Sequence, residues 1–383
     1  MPARLGRRLR PTAQQRLLLR CAFGDEETAR ASWAQLRPGL DVDRLDEGSH
    51  GLLPLVGRAL ARAGVEDPVL GRLKGIQRKA WFGNQLLLAG IGPSLNALRA
   101  AGIEPLLLHG TALMLATYPE SGLRRTPVAD VAVAPGSEAR ALPFLGRAGW
   151  VRHPEAPPSG QFPVPLVDPD GRLLILHAGL PEALQVPGAP SGALGEFWAR
   201  ATEVDAGQGT ACVLEPTDQL LCTLAIGPDV TWAPDAQWLA DAAMIIRRHA
   251  IAWPALAERA RARRLTERVR AGLGTLEALG VDTGADDQLF RSATGRRERL
   301  EYRLYGARGR VLGGLPQTLA IHVRRTSGTG AGRALTSTPR FLAETWELAG
   351  PRQIPGAVLR KAVDSTGTRP AHVLQRSASS RGS

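Results

Sequence analysis

The hydrophobic and polar positions of the chain follow a helical period near both ends and a strand-like pattern only in the middle. Between residues 12 and 102, and again between 215 and 350, apolar residues recur every three or four positions, which predicts helices. Between residues 103 and 214, short apolar runs alternate with glycine- and proline-containing turns, which predicts strands. The pattern therefore indicates a central α/β unit between two helical regions, with basic tails at residues 1–11 and 351–383.

The N-terminal region is expected to form a helical platform. Its longest helix should begin near Pro68 and bend at residues 90–93, because glycine and proline interrupt helical hydrogen bonding. Trp81 and Asn84 lie on this helix. We expect them to pack and to form a hydrogen bond, and contact with a ligand is the alternative.

The central segment carries the pattern most informative about chemistry. An apolar strand at residues 103–108 ends at a small-residue turn, 109–111, and a short helix follows. The next strand, at residues 128–134, carries one acid, Asp130. Small residues let backbone N–H groups approach phosphate, and carboxylates hold hard metal ions. This order of elements therefore predicts a site for a phosphate-bearing ligand.

Further strands follow the same alternation of apolar runs and turns. They are predicted at residues 150–153, 162–167, 173–177 and 210–214. The tetrad Asp168-Pro169-Asp170-Gly171 is a turn signal, which predicts a hairpin between the second and third of these strands. Asp168 and Asp170 could ligate a metal, but a hairpin tip lies at the far end of its strands. A linker is expected at residues 181–192.

An ordered series of short motifs links the chain to a known family. The series reads His109-Gly110-Thr111-Ala112-Leu113, Tyr118-Pro119, Gly122-Leu123-Arg124, Pro127-Val128-Ala129-Asp130, Leu176-His177, Asp218-Gln219-Leu220-Leu221 and Trp238-Leu239-Ala240-Asp241. In this order the chain resembles, over about residues 12–350, an uncharacterised bacterial nucleotidyltransferase family of the DNA polymerase beta-like superfamily. The resemblance implies an α+β fold, in which a small mixed β-sheet nucleotidyltransferase domain at 103–214 is flanked by N- and C-terminal helical regions.

The resemblance also implies a site around the turn at residues 109–111. Asp130 would be the catalytic metal ligand, and His109, Gly110 and Thr111 would face the triphosphate of a nucleotide. His109 occupies the place of the family's lysine and would bind phosphate when protonated.

Four further residues belong to the expected site. Arg124 and Arg125 would clamp phosphate oxygens, or else form a solvated pair on a loop. His177 and Asp241 would hold the residues that contact the ligand in position, without contacting the ligand themselves. His177 ends an apolar strand, where a histidine is more often hydrogen-bonded in the core than catalytic. Asp241 shares a buried stripe with Trp238 and needs a basic or N–H partner across the domain interface.

The chain departs from the family pattern at the residues that hold metal. Ala132 stands where the family has its second acid, or Val128 replaces the first acid if the motif is aligned from Arg124. Ile175 takes the place of the third acid, and the family's later helix histidines fall on Cys222 and Ile226. Since two divalent ions normally activate the attacking group and stabilise the leaving group, their loss would be expected to cost several kcal/mol of transition-state stabilisation.

Two functions follow from the resemblance and its departures. The expectation is a catalytically degenerate member that retains a nucleotide-binding pocket, with Mg²⁺ bound weakly or not at all, and with an unknown acceptor or protein partner. The alternative is an active, Mg²⁺-dependent transfer of a nucleoside monophosphate from a nucleoside triphosphate to a small-molecule, peptide or glycan acceptor.

The charge of the chain suggests a third class of function, an arginine-rich nucleic-acid-binding protein. The net charge is +12 and the isoelectric point is near 10.8. However, residues 1–20 contain six arginines and no acid, and residues 324–383 contain nine arginines and one lysine against three acids. The rest of the chain is close to neutral, so the charge disfavours a nucleic-acid groove. The arginine-rich stretch at 254–279 should be one helix with a solvated face.

The remaining signals concern location. No run approaches the roughly 18 apolar residues of a membrane span, so no membrane partner is expected. The N-terminus lacks the apolar segment of a secretory signal. Cys21, Cys212 and Cys222 have no metal-like spacing, which indicates buried thiols in a reducing compartment and therefore a cytoplasmic protein. Composition predicts disorder from about residue 364.

Overall fold

A computed structural model of the chain describes residues 5, 9–154, 156, 162–186, 195–226, 236–290, 294–307, 314–326, 331–346 and 348–367. One seven-stranded sheet runs through the middle of the molecule in the order β3-β4-β5-β2-β1-β7-β6. Its strands are β1 (Leu106–Leu108), β2 (Val128–Val133), β3 (Val151–Arg152), β4 (Val164–Val167), β5 (Leu173–Ala178), β6 (Thr202–Asp205) and β7 (Thr210–Val213).

Helices flank the sheet in sequence and in space, so the α+β prediction is confirmed. The first six are α1 (Ala13–Phe23), α2 (Glu26–Leu36), α3 (Glu47–Arg62), α4 (Val69–Ala100), α5 (His109–Ala116) and α6 (Glu138–Arg147). The others are α7 (Gly195–Arg200), α8 (Pro216–Ile226), α9 (Gln237–Arg248), α10 (Trp253–Ala262), α11 (Thr266–Ala278), α12 (Arg296–Tyr305), α13 (Leu315–Arg325), α14 (Ala331–Thr345) and α15 (Ile354–Gly367). None of the described helices combines the length and apolar character that a membrane span needs.

The register of the central strands places the motif residues on one face of the sheet. β2 runs parallel to β5 and antiparallel to β1, so the sheet is mixed. Asp130 lies opposite Ile175, and Ala132 lies opposite His177. Because side chains alternate between the two faces of a strand, these four residues share one face.

The two faces of the sheet belong to two hydrophobic cores. The opposite face packs against α4 and α6 through residues such as Val131, Leu176 and Ile91. The motif face contributes Leu108 and Ala132 to a larger core that also contains residues of α1, α3, α8 and α9. The N- and C-terminal helical regions therefore pack together and cover the motif face.

Several predicted elements differ from the structure. α4 is one 32-residue helix that passes through residues 90–93, because the buried residues of its second half, such as Ile91 and Leu95, pack against the sheet and override the helix-breaking signal. Strand β6 was not predicted, and its exposed Thr-Glu-Val-Asp sequence explains why, since an edge strand needs little apolar character.

The prediction that residues 254–279 form one helix with a solvated arginine face is wrong. The segment divides into α10 and α11 near Arg264, whose backbone φ is 54°. Arg263 and Arg268 are only 3% and 8% exposed. Arg259 pairs with Glu215 and Asp218, Arg263 pairs with Glu196, and Arg268 pairs with Glu301. These cations pair with acids from other segments of the chain.

The chain ends also differ in part from expectation. Leu5 and Leu9 of the expected N-terminal tail are buried in the larger core. The expected disordered tail at 351–383 includes helix α15, while residues 368–383 and the second half of the linker expected at 181–192 lie outside the described residues. Cys21 and Cys222 are buried as predicted, but Cys212 is half-buried and donates to the Glu104 carboxylate at 3.2 Å.

Candidate functional site

The candidate site is centred on a carboxylate–imidazole pair formed across neighbouring strands. His177 Nε2 lies 2.9 Å from Asp130 Oδ1, and the two side chains are 15% and 16% exposed. The parallel pairing of β2 and β5 sets this contact. His177 lies opposite Ala132, which is two residues after Asp130 and therefore on the same face of the sheet. Among the described residues, no other group hydrogen-bonds to the Asp130 carboxylate, so Oδ2 is available to a ligand.

The side chain of His109 places a second imidazole next to the Asp130–His177 pair. Its ring centroid lies 6.1 Å from that of His177, in an edge-to-face arrangement. The backbone of His109 has a φ of 48°, the left-handed region that side chains other than glycine rarely adopt. Such strain costs on the order of 1–3 kcal/mol and often accompanies a functional site. Nothing in the sequence indicated this conformation.

The local charges shift the pKa values of this cluster. Burial alone would raise the pKa of Asp130, but the hydrogen bond with His177 and the nearby His109 and Arg124 outweigh it and lower the pKa. Burial lowers the pKa of His109, against the opposing effect of Asp130. Asp130 is therefore an anion at neutral pH, and the neutral form of His109 is favoured.

Gly110 and Thr111 form the first turn of α5 next to this cluster. Both are buried, and the Thr111 hydroxyl donates to the carbonyl of Val128 at 3.2 Å. Leu108 precedes the helix and offers no side-chain cap. The uncapped N–H groups of a first turn are the groups that bind anions at helix N-termini.

Arg124 lies beneath this turn and is engaged by Asp241. Its Nε and one terminal nitrogen each donate to the Asp241 carboxylate at 2.8 Å, and Tyr118 donates to the same carboxylate at 2.7 Å. Asp241 of α9 thus meets the basic partner that the sequence led us to expect, in the segment that precedes β2. A β-carbon at Gly110 would overlap the Arg124 guanidinium, so the turn and the ion pair fit each other closely.

Arg125 points elsewhere. Its guanidinium pairs with Glu47 of α3 at 3.0 Å, and both side chains are more than 40% exposed. The two arginines that the sequence groups together are therefore separated in the structure. Arg124 faces α9, and Arg125 faces α3.

A buried amide on α4 holds the segment that connects α5 to β2. Asn84 is 1% exposed, donates to the carbonyls of Ser121 and Arg124 at 2.6 and 2.8 Å, and accepts from the N–H of Thr126 at 3.0 Å. The hydrogen-bonding role predicted for Asn84 is confirmed. Its importance for positioning Arg124 could not be seen in the sequence, because the contacts span about 40 residues.

The donor atoms on the motif face differ from those of a paired-carboxylate metal site. Ala132 and Ile175 share the face with Asp130, and neither side chain can ligate a metal ion. Asp168 and Asp170 are engaged by Arg172 at the hairpin tip. Nowhere in the described part of the chain do three or more His, Cys, Asp or Glu side chains form a group suited to a metal ion. One carboxylate and two imidazoles do not fit a pair of Mg²⁺ ions, which prefer oxygen ligands.

Comparison with known proteins gives one match. The sequence model of a family described as uncharacterised nucleotidyltransferase matches residues 48–280, which is more than half of the chain. The matched segment contains α4, the whole sheet, and every residue of the cluster around Asp130. A search of curated proteins found no match.

Proposed function

Since the chain belongs to the uncharacterised nucleotidyltransferase family, we propose that it binds a nucleoside triphosphate beside Asp130 without transferring the nucleotide by a two-metal route. The observation that supports this most is the Asp130–His177 pair. The pair lies on the face of the sheet where the family pattern implies metal-binding acids. On that face Ala132 and Ile175 have apolar side chains, which cannot ligate a metal ion.

The chemistry of the pair favours binding over turnover. In a two-metal reaction, carboxylates hold the ions that activate the nucleophile and stabilise the leaving pyrophosphate. Here the single carboxylate already accepts a hydrogen bond from the His177 imidazole, whose Nε2 lies 2.9 Å away. Loss of several kcal/mol of transition-state stabilisation would slow transfer by orders of magnitude.

Phosphate binding would rely on groups that need no metal. The first turn of α5 presents backbone N–H groups, and His109 lies within it. A bound triphosphate would favour protonation of His109, because an adjacent anion raises the pKa of an imidazole. We therefore expect the affinity for triphosphate to be higher at pH 6 than at pH 8.

The direct test is restoration of the missing acids. The variant with Ala132→Asp and Ile175→Asp should gain Mg²⁺-dependent transfer of a radiolabelled nucleoside monophosphate, while the wild type binds the same triphosphate without turnover. A matched control, Val131→Asp on the opposite face, should gain nothing. Transfer by the wild type that requires both Mg²⁺ and Asp130 would instead establish the active alternative.

A further inference from the structure

The outer side of α4 forms a groove that the nucleotide site does not use. Lys74, Arg78 and Trp81 occur at intervals of four and three residues, so they lie along one side of the helix. Residues 120–122 form the opposite wall, and the groove encloses about 500 Å³. This volume is within the usual range for small-molecule sites.

The groove carries positive charge that the protein does not neutralise. Lys74 and Arg78 are exposed, and neither forms an ion pair or hydrogen bond with any described residue. The one acid in the wall, Glu120, is already engaged, since its two carboxylate oxygens accept from Arg58 at 2.8 Å and from Gln77 at 3.0 Å. α4 itself contains no acid over its 32 residues. An anion is therefore the complementary ligand.

Trp81 adds a flat apolar surface next to these cations. The prediction that Trp81 packs into the protein is wrong, because its side chain is 49% exposed. An indole ring offers a large area for stacking against another ring. Two cations one helical turn apart, followed by an exposed indole, match a ligand that joins an anionic group to a planar ring.

The shape of the groove depends on a close approach between α4 and its opposite wall. A β-carbon at Gly122 would lie 3.0 Å from the Trp81 β-carbon and 2.8 Å from the Gln77 carbonyl oxygen. Asn84, three residues beyond Trp81, holds the neighbouring Ser121 carbonyl at 2.6 Å. The wall is therefore fixed before a ligand arrives, which lowers the entropy lost on binding.

We propose that this groove is a second ligand site, which takes a small molecule bearing a phosphate and a planar ring. The phosphate binds Lys74 and Arg78, and the ring stacks on Trp81. None of the residues that line the groove belongs to the Asp130 cluster, so the assignment does not depend on triphosphate binding there.

Phenyl phosphate is a suitable probe, because it contains only these two chemical features. The full chain labelled with 5-fluorotryptophan would be titrated and followed by ¹⁹F NMR, with the Trp81 signal assigned from Trp81→Phe. The Trp81 signal should shift on titration. The Lys74→Gln/Arg78→Gln variant should bind at least about tenfold more weakly, since both cations that contact the phosphate are lost.

The chain provides a matched control on α12. Arg299 and Arg303 are exposed, stand four residues apart, and line a smaller groove of about 250 Å³ whose lining has no aromatic residue. Arg299→Gln/Arg303→Gln removes the same charge and should leave phenyl phosphate binding unchanged. His109→Gly, which should weaken triphosphate binding beside Asp130, should also leave phenyl phosphate binding unchanged, while Trp81→Ala should weaken it. Because the groove and α12 positions are exposed, the variants at these positions should keep the wild-type melting temperature.

Three results would overturn the proposal. The first is no binding of phenyl phosphate by the wild type at millimolar concentration, whatever the outcome with triphosphates. The second is binding that His109→Gly abolishes and the groove variants preserve, which would place the probe in the nucleotide site. The third is co-sedimentation with anionic phosphatidylserine vesicles without phenyl phosphate binding, which would identify a lipid-facing surface instead.

Discussion

Asp130 and Asp241 are both largely buried, but they differ in the number of hydrogen-bond donors around the carboxylate. This difference distinguishes a group that can bind a ligand from one that stabilises the fold. Asp241 is 5% exposed and receives two hydrogen bonds from Arg124 and one from Tyr118. Asp130 is 16% exposed and, among the residues that the structure describes, has a single partner, His177. The first carboxylate is saturated with donors, while the second keeps an oxygen for a ligand.

The difference shows what each acid does for the fold. Asp241, on α9, ties the C-terminal helices to the segment before β2, and Arg124 in turn supports Gly110. Asp130 sits among strands that apolar packing already holds together. Stability should therefore depend strongly on Asp241 and weakly on Asp130.

The largest expected effect is on stability at the saturated acid. Asp241→Ala leaves the Arg124 guanidinium buried without its partner, and breaking such a pair typically costs about 3–5 kcal/mol. Asp130→Ala should cost less than about 1.5 kcal/mol. Denaturant unfolding of both variants at pH 7.5 measures the difference. Equal losses of unfolding free energy would remove the distinction between the two acids.

The next effect concerns the close fit of Gly110 over the ion pair. Gly110→Ala places a β-carbon against a guanidinium that Asp241 holds in position, and overpacking of this kind costs about 1–3 kcal/mol. Gly75→Ala is the matched control, because a β-carbon there meets nothing within 4 Å in the interior of α4. It should stabilise the protein by about 0.5–1 kcal/mol. Destabilisation by both would point to a general sensitivity of helices to alanine.

The strained histidine should separate binding from stability. His109→Gly removes a side chain from a backbone at φ 48°, which glycine adopts freely, so unfolding free energy should stay equal or rise by about 1 kcal/mol. Triphosphate affinity should fall about tenfold, since a charge-assisted contact to phosphate is lost. Arg264→Gly, at φ 54° outside the site, should leave affinity unchanged. Unaltered affinity in His109→Gly would exclude His109 from the binding site.

The smallest effect is a pH dependence of stability. The pKa of His109 is lowered in the folded protein, whereas an unfolded histidine titrates near pH 6.5. As the pH falls below about 6.5, the unfolded chain takes up the proton first, so the stability present at higher pH is lost. His109→Gln should reduce this loss by up to about 1 kcal/mol between pH 7.5 and 5.5, as measured by urea unfolding. An identical slope in the variant would show that His109 titrates normally.

Asp130 affects stability in a different pH range. Because the pKa of Asp130 is lowered in the folded protein, its contribution to stability is lost only below about pH 4.

The sequence predicted the parts of this account that depend on local pattern. Strands β1, β2 and β5, the hairpin turn, and the placement of Asp130 and His177 on strands follow from apolar runs and turn residues. The register that brings Asp130, Ala132, Ile175 and His177 to one face is a property of pairing between distant segments, so only the resemblance suggested it.

Other features could not be predicted because they depend on side chains that are distant in sequence. The exposure of Trp81 follows from which side of α4 the sheet covers. The separation of Arg124 from Arg125 depends on Asp241 and Glu47, which lie on helices of opposite regions. The burial of Arg263 and Arg268 likewise follows from acids on other helices.

The central claim is that the Asp130 pocket binds triphosphate without a metal pair. Isothermal titration of the wild type with ATP, GTP, CTP and UTP, each in EDTA and in excess Mg²⁺, tests it most directly. We predict measurable binding of at least one nucleotide in EDTA, with a Kd that changes by less than about threefold on addition of Mg²⁺. Binding that appears only with Mg²⁺, or no binding of any triphosphate under either condition, would contradict it.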